Sequence, residues 1–216
     1  MLRIRGGSIH RTSTSRDPER TRERLLRAAF QEMHRSGFRS ADVHAILAAA
    51  RVTKGALYHH FDSKEALGYA VVDEVIASIT REMWDWPLRN AENPIDALVG
   101  IVQAISLSSE ALECGCPLNN LSQEMSPLDE GFRRRTARIF KDWHDAIAVA
   151  LSHGQKRGLV RSDVDAGETA TFLMAAYEGL ISLVKNSQDV RMWQAGQKNL
   201  IRLLESLRGK RGGTRR

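Results

Sequence analysis

Residues 40–62 read SADVHAILAAARVTKGALYHHFD, and this stretch decides the fold. Its first half predicts a short helix that Ser40 can cap at the N-terminus. The apolar positions of this helix recur at helical spacing and are Val43, Ile46 and Leu47. A second helix follows Thr53 and runs through His60. Two short helices joined by a tight turn fit a helix-turn-helix, in which the second helix enters the major groove of DNA.

The second helix carries side chains suited to phosphates and base edges. They supply a hydroxyl, a cation, a phenol and an imidazole, and they are Thr53, Lys54, Tyr58 and His59. Gly55 leaves the backbone free to approach DNA, and Leu57 and Phe61 form the inward side. Tyr58 could instead be a buried core aromatic. His59 and His60 could instead bind a metal, but no third ligand lies at a useful spacing, so we predict no metal site.

Helical periodicity continues on both sides of this stretch. Asp17 and Pro18 begin a first helix that Gly37 ends, and Ser63 begins a long helix that ends before Pro87. The later helices are expected from Pro94 to a break near Cys114, over about 118–125, from Phe132 to near Gly158, and over about 166–186 and 189–207. No segment alternates with a period of two. The fold class is therefore predicted to be all-α, with about nine helices.

The net charge of +6 is unevenly distributed. Residues 1–62 hold 12 Lys/Arg against 6 Asp/Glu, residues 63–207 hold 15 against 20, and residues 208–216 hold five cations and no acid. A basic module joined to an acidic body is typical of proteins that bind polyanions, because Lys and Arg release counterions from phosphates. A basic surface that only aids solubility is the alternative.

Composition and motifs exclude several classes of protein. No apolar run approaches the roughly 20 residues that span a bilayer, so we expect a cytoplasmic protein without a membrane partner. Cys114 and Cys116 lie too close for an easy mutual disulfide and are expected to be reduced. The sequence lacks the zinc-protease, nucleophile-elbow and phosphate-loop motifs, so we expect neither an enzyme nor a cofactor.

The motif V-T-K-G-A-L-Y-H-H-F, followed by S-K-E-A-L, resembles the signature of the TetR family of bacterial repressors. The resemblance extends back to R-E-R-L-L-R-A-A-F at 22–30 and covers about residues 18–66. It implies an N-terminal three-helix helix-turn-helix domain that binds a palindromic operator as a homodimer, with Lys64 on phosphate. The residues that it places at the DNA are Thr53, Lys54, Gly55, Tyr58, His59 and Lys64, with Ser40 at the start of the second helix.

One residue departs from the family pattern. The family usually has Gly in the turn where this chain has Arg51. If that position is left-handed, an Arg there costs roughly 1 kcal/mol. A further phosphate contact could offset this cost, or the turn could have a different conformation.

The resemblance also implies a C-terminal helical domain for ligand binding and dimerisation. We expect a disordered basic arm at 1–16, a DNA-binding domain at 17–65, an effector and dimerisation domain at 66–208, and a basic tail at 209–216. The last two helices would pair between subunits through a face that includes Ala176, Leu180, Leu200 and Leu203, although packing within one chain explains part of the same stripe. The candidate cavity residues are Leu107, Met125, Phe140, Trp143, His144, Met174 and Tyr177, each of which could instead be ordinary core.

The stretch G-C-P-L-N-N-L at 115–121 resembles a segment in one branch of these repressors, some of which respond to electrophiles or oxidants. Cys114 and Cys116 are therefore candidate effector-site residues. An exposed thiol with a lowered pKa could be modified, whereas thiols buried in apolar surroundings are inert. Small buried residues at a helix break are the structural alternative.

These observations predict a DNA-binding transcriptional regulator. We expect a repressor that a small-molecule or thiol-reactive effector releases from its operator. A non-specific or architectural DNA-binding protein is the alternative, and it would show little sequence preference. An activator with the same fold is another, because the fold does not dictate the sign of regulation.

Overall fold

The computed structural model describes residues 18–105 and 109–209, and its side chains except those of 109–111. The expected arm at 1–16, the tail beyond Gly209 and Leu107 lie outside the described residues. The described residues are largely helical, and the only β-type pairing among them is an isolated bridge between Val160 and Arg208. The all-α prediction is confirmed.

Three helices form the N-terminal head: α1 (Pro18–Ser36), α2 (Val43–Ala50) and α3 (Lys54–His60). Helix α1 ends before Gly37, whose φ of 82° lies in the left-handed region that favours glycine. The side chain of Asp42 caps α2 by accepting a hydrogen bond of 2.9 Å from the His44 backbone N–H. The prediction that Ser40 caps α2 was therefore wrong, since the chain makes a further turn before the helix begins.

A long helical run, α4, follows the head. It consists of Lys64–Ala70, a π-helical Val71–Ile76, Ala77–Thr80, a π-helical Arg81–Asp85 and Trp86–Arg89. The Ser63 side chain caps its start, as the sequence predicts. The expected end before Pro87 was wrong, because the second π-helical turn widens the backbone just ahead of the proline and relieves the clash that an α-helix would impose.

The remaining helices form the body of the molecule. They are α5 (Pro94–Ala104), α6 (Ser109–Cys114), α7 (Pro117–Met125), α8 (Glu130–Lys156), α9 (Ala166–Ser187) and α10 (Val190–Ser206). The expected helix from Pro94 to Cys114 is divided, because α5 ends before Ile105, whose ψ of 104° is extended. The Asp165 side chain caps α9, where an acidic residue just before the first turn of a helix is a local N-cap signal.

Two hydrophobic cores hold these helices together. One joins the head to α4, α7 and the start of α8, and its most deeply buried side chains include Leu25, Ile46, Leu67 and Phe132. The other lies among α5, α8, α9 and α10 and includes Ile95, Leu98, Ile147 and Leu204. Phe140 and Cys116 pack against both cores, so the head and the body share a continuous interior.

The C-terminal end of the described chain is fixed by contacts with the body. Arg208 forms an ion pair of 2.6 Å with Asp96 and another with Glu205, and the Gly209 backbone N–H donates to Leu159 at 2.8 Å. Arg208 is therefore held against the body. Within the described ranges, none of the helices combines the length and apolarity that a membrane span needs.

Candidate DNA-binding surface and effector cavity

Helix α3 presents one face to the interior and one to solvent. Leu57 and Phe61 are buried in the head core, as the sequence predicts. Tyr58 is 45% exposed, and the Lys54 Nζ atom lies 5.9 Å from the centre of its ring. His59 is also exposed, whereas His60 is half-buried. The exposure of Tyr58 removes the alternative of a core aromatic and leaves a cation and two aromatic rings on one accessible face.

Two predicted contact residues have a local structural role as well. Thr53 is exposed, and its Oγ1 caps α3 by accepting a hydrogen bond of 3.2 Å from the Ala56 backbone N–H. Lys64 Nζ donates to the Arg39 carbonyl oxygen at 3.1 Å and lies 5.1 Å from the centre of the Phe38 ring. Lys64 therefore fixes the turn before α2 in the absence of DNA. Gly55 is open on its outer side, where an added Cβ would meet only Thr53 Oγ1, at 3.9 Å.

The turn between α2 and α3 adds a cation that sequence reasoning left undecided. Arg51 is left-handed, with φ 53° and ψ 49°, and its side chain is exposed. The strained backbone at this position is therefore present, at a cost of roughly 1 kcal/mol. Arg39, just before α2, and His44, within α2, are also exposed. These three residues extend the basic character of the head beyond the predicted set.

A cavity of about 900 Å³ lies between the head and the body. Its wall is formed by α1, α4, α5, the segment 115–118, α8 and α9, and it includes His34, Met83, Trp84, Ile101, Cys116, Trp143, Tyr177, Glu178 and Ile181. His34 joins the two parts directly, because its Nε2 lies 2.8 Å from the Gly115 carbonyl oxygen. The volume and the largely apolar wall are typical of small-molecule sites.

The structure brings together only part of the predicted cavity set. Cys116, Trp143 and Tyr177 line the cavity. The other described candidates do not: Met125 is buried in the head core, Phe140 packs between the cores, Met174 packs against the body core, and His144 lies beside Asp145 and the Gly167 carbonyl. Cys114 lies outside the wall, and its carbonyl oxygen accepts a hydrogen bond from Asn120.

Glu178 is the cavity residue that sequence reasoning missed. Both of its carboxyl oxygens are inaccessible to solvent, and neither has a hydrogen-bond partner of ordinary geometry among the described residues. Burial raises the pKa of Glu178 to about 7, and the nearby Cys116 thiol and Asn119 side chain offset part of this rise. Its spacing from Met174 and Ile181 places it on an apolar helical face, which is the signal that could have identified it.

The thiol of Cys116 is in an unreactive environment. Burial raises its pKa far above the ordinary range, and the neighbouring Glu178 carboxyl raises it further. A thiolate is the reactive form of cysteine, so this residue has little nucleophilic character near neutral pH. The geometry thus favours the interpretation of Cys116 as a small buried residue at a helix break over that of a reactive thiol.

The residues predicted for the dimer contact do not lie on the exposed face of the last two helices. Leu200 is buried in the body core, and Ala176, Leu180 and Leu203 are half-buried against the same core. Leu180 packs where Gly196 of α10 lacks a side chain. The exposed positions of α9 at helical spacing are Phe172, Ala175, Gly179 and Leu183. Space is open above Gly179, so another helix can approach this face closely.

Two family models match the chain. The model described as "Bacterial regulatory proteins, tetR family" matches residues 25–71, and "Tetracyclin repressor-like, C-terminal domain" matches residues 94–198. The HTH-type transcriptional repressor DhaR of Mycobacterium sp. (strain GP1) is 32% identical over 164 residues, which are 76% of this chain and 82% of DhaR. TtgR of Pseudomonas putida, an HTH-type transcriptional regulator, is 25% identical over 211 residues, covering 90% of this chain and 98% of TtgR.

Solved structures agree with these matches. A TetR transcriptional regulator from Chloroflexus aurantiacus superimposes with a TM-score of 0.80 at 25% identity, covering 90% of this chain and all of the other. The reduced form of NemR from E. coli shares the fold, with a TM-score of 0.74 at 23% identity over 89% of this chain and all of NemR. The exposed α3 face lies within residues 25–71, which the first family model matches. The chain therefore belongs to the TetR family and is a DNA-binding transcriptional regulator.

Proposed function

We propose that the protein is a homodimeric repressor that binds a palindromic operator through α3 and leaves it when a small molecule fills the cavity. The observation that carries this proposal is the composition of the cavity wall. Residues of α4 and His34 of α1 line it together with α9, so its occupant contacts the helices that carry the DNA-binding head. The name of the 32%-identical relative DhaR supports repression as the sign of regulation.

The exposed apolar face of α9 supports a dimer. Phe172 is 58% exposed and Leu183 is 59% exposed, and Gly179 between them leaves room for a second helix. A palindromic site is read by two heads related by a two-fold axis, so the operator requires a symmetric pair of chains. We assign this face of α9, continued by Val190 and Met192 of α10, to the contact between subunits.

Release requires that the effector bind the DNA-incompetent arrangement of the heads more tightly than the competent one. The cavity meets this requirement in its position, since a change in its volume displaces α4 and the segment 115–118. Through the contact of Gly115 with His34, the same displacement acts on α1. Because the Cys116 thiol is buried and its pKa is raised, we assign release to a non-covalent ligand of the cavity rather than to modification of Cys116.

The DNA-binding part is tested with duplexes from the intergenic region beside the gene. Lys54→Ala and Tyr58→Ala should each weaken operator binding by about 1–3 kcal/mol, or about 5- to 150-fold. Lys156→Ala removes an equally exposed cation from the far end of α8 and serves as the matched control. Unchanged operator affinity in both α3 variants would contradict the assignment.

Two further measurements separate the alternatives. An architectural protein would bind a scrambled duplex as tightly and with the same salt dependence, whereas a specific regulator prefers its operator by at least about 10³-fold. A reporter fused to the operator distinguishes repression from activation. Expression should rise when the gene for this protein is deleted, and a fall would indicate an activator.

A further inference from the structure

Glu178 is a buried acid without a cationic partner among the described residues. Its two oxygens are closed to solvent and accept no hydrogen bond of ordinary geometry. Its polar neighbours are the neutral Cys116 thiol and the Asn119 amide, and this amide also donates to Ser182 Oγ at 3.4 Å. A buried carboxylate that is not neutralised is costly, so a positively charged occupant of the cavity would stabilise Glu178.

The charges around the cavity are of one sign. Among the described residues of the wall, the acidic and basic side chains are His34, Glu82 and Glu178, and none is Lys or Arg. The His34 ring is engaged with the Gly115 carbonyl, and Glu82 accepts a hydrogen bond from Ser78 near the exposed edge. Lys185, two helical turns along α9 from Glu178, is directed to Asn120 Oδ1 at 3.1 Å. An anionic ligand would therefore meet repulsion without a compensating cation.

The aromatic part of the wall favours positive charge as well. Trp84 lies 4.7 Å from Trp143 and 5.1 Å from Tyr177 between ring centres, so three rings meet beside the cavity. Where such a ring presents its face to the cavity, that electron-rich face attracts cations, whereas the Trp143 Nε1–H, which has no acceptor among the described residues, can donate to a polar atom of the ligand. Burial raises the pKa of Tyr177 above its ordinary range, so its phenol stays neutral beside Glu178.

We propose that the cavity binds an organic cation with a large apolar body, and that its positive group lies against Glu178. This inference rests on the proposed function, because it names the ligand class of the same cavity. The cation supplies the partner that the carboxyl lacks, and the apolar body fills the space between Met83, Ile101 and Ile181. A neutral ligand would leave the charge of the Glu178 carboxylate uncompensated, and an anion would add a second negative charge.

Two ions of nearly the same shape and opposite charge test the proposal. Tetraphenylphosphonium and tetraphenylborate are titrated separately into the full chain at pH 8, and binding is measured by calorimetry. The cation should bind at least tenfold more tightly than the anion. Equal affinities, tighter binding of the borate, or binding of neither ion would overturn the proposal.

Variants identify the group responsible. Glu178→Gln keeps the side-chain shape and should weaken binding of the phosphonium at least tenfold, while Glu168→Gln, at an exposed position of the same helix outside the cavity wall, should change it less than twofold. An unchanged phosphonium affinity in folded Glu178→Gln would overturn the assignment to this residue.

A measurement on the wild type covers the case in which Glu178→Gln does not fold. The phosphonium does not titrate, so its affinity should rise between pH 6 and pH 8 as Glu178 ionises, and a constant affinity would contradict the proposal. None of these titrations contains DNA. Loss of operator binding with retained phosphonium binding would therefore overturn the proposed function alone.

Discussion

The Glu124 carboxylate accepts a hydrogen bond of 2.7 Å from the Phe38 backbone N–H, and it also accepts one of 2.8 Å from Arg39. Glu124 lies in the last turn of α7, while Pro117 and Leu118 at the start of that helix line the cavity. A single short helix therefore connects the cavity wall to the turn that precedes α2. Under the proposed function, the two ends of α7 contact the parts of the molecule that a bound effector would move relative to each other.

Removal of this carboxylate should destabilise the head. Glu124→Ala leaves the backbone N–H groups of Phe38 and Arg39 without their acceptor, and we expect a loss of about 2 kcal/mol in the free energy of unfolding. Urea denaturation measures the loss, and hydrogen exchange at the two amides should accelerate. Gln123→Ala, an exposed neighbour on the same helix, should cost less than about 0.5 kcal/mol. Equal stability of the two variants would refute the role of the Glu124 contacts.

Glu178 should make stability depend on pH. Its pKa is about 7 in the folded protein against a reference of 4.5, so the native state binds more protons between these values and stability falls as pH rises through this window. Glu178→Gln removes the effect, and its advantage in unfolding free energy over the wild type should widen by about 2 kcal/mol from pH 5 to pH 8. Glu82→Gln is the control. A pH-independent difference between wild type and Glu178→Gln would show that burial does not perturb this carboxyl.

Arg51 and Gln188 form a natural pair for separating strain from DNA contact. Both are non-glycine residues with positive φ, 53° and 55°, but only Arg51 lies in the helix-turn-helix. Replacement of either by glycine should recover up to about 1 kcal/mol of stability. At Gln188, the loss of the side-chain hydrogen bonds to the carbonyl oxygens of Leu112 and Lys185 offsets part of this gain in stability.

Operator binding should respond to only one of these changes. If Arg51 contacts a phosphate, Arg51→Gly weakens binding and lowers the slope of log K against log salt by about one, whereas Gln188→Gly leaves both unchanged. Filter-binding titrations over a range of salt concentrations measure the slope. An unaltered slope for Arg51→Gly would assign the arginine to the turn alone.

The dimer contact should depend on the exposed face of α9. Leu183→Glu places a charge on a residue that is 59% exposed, so the chain should fold and sediment as a monomer. Leu128→Glu alters an equally exposed leucine, at 58%, outside this face and should leave the dimer intact. Leu200→Glu should unfold the chain instead, since Leu200 is only 8% exposed within one subunit. A dimer that persists in Leu183→Glu would place the contact elsewhere.

Local signals in the sequence were sufficient for most of the helices. Thr53, Ser63 and Asp165 cap the helices that their side chains predict, because an N-cap depends on a few neighbouring residues. The predictions that Ser40 caps α2 and that α4 ends before Pro87 were wrong for the same reason. Whether a polar residue caps, or a proline ends, a helix depends on the path of the preceding backbone, which single residues do not encode.

The cavity was harder to predict than the DNA-binding face. Tyr58 and Lys54 belong to a contiguous motif, whereas the wall of the cavity joins residues from six helices and the two residues before α7. Apolar periodicity marks a residue as buried but does not say whether it faces a neighbour or an empty space, so Met125 and Trp143 were indistinguishable in sequence. Glu178 was overlooked because a glutamate in a helix is ordinarily solvent-exposed.

The two π-helical turns of α4 have a mechanical consequence. In each of them the hydrogen bonds reach one residue further than in an α-helix, and their geometry is less favourable. Such turns are where a long helix bends at least cost, since little hydrogen-bond energy is lost there. Helix α4 is therefore better described as three rigid α-helical segments joined by two more easily bent π-helical turns than as one continuous rigid helix. Under the proposed function, an effector would change the separation of the two DNA-reading helices by bending α4 at Val71–Ile76 and Arg81–Asp85, which needs less binding energy than bending a continuous α-helix.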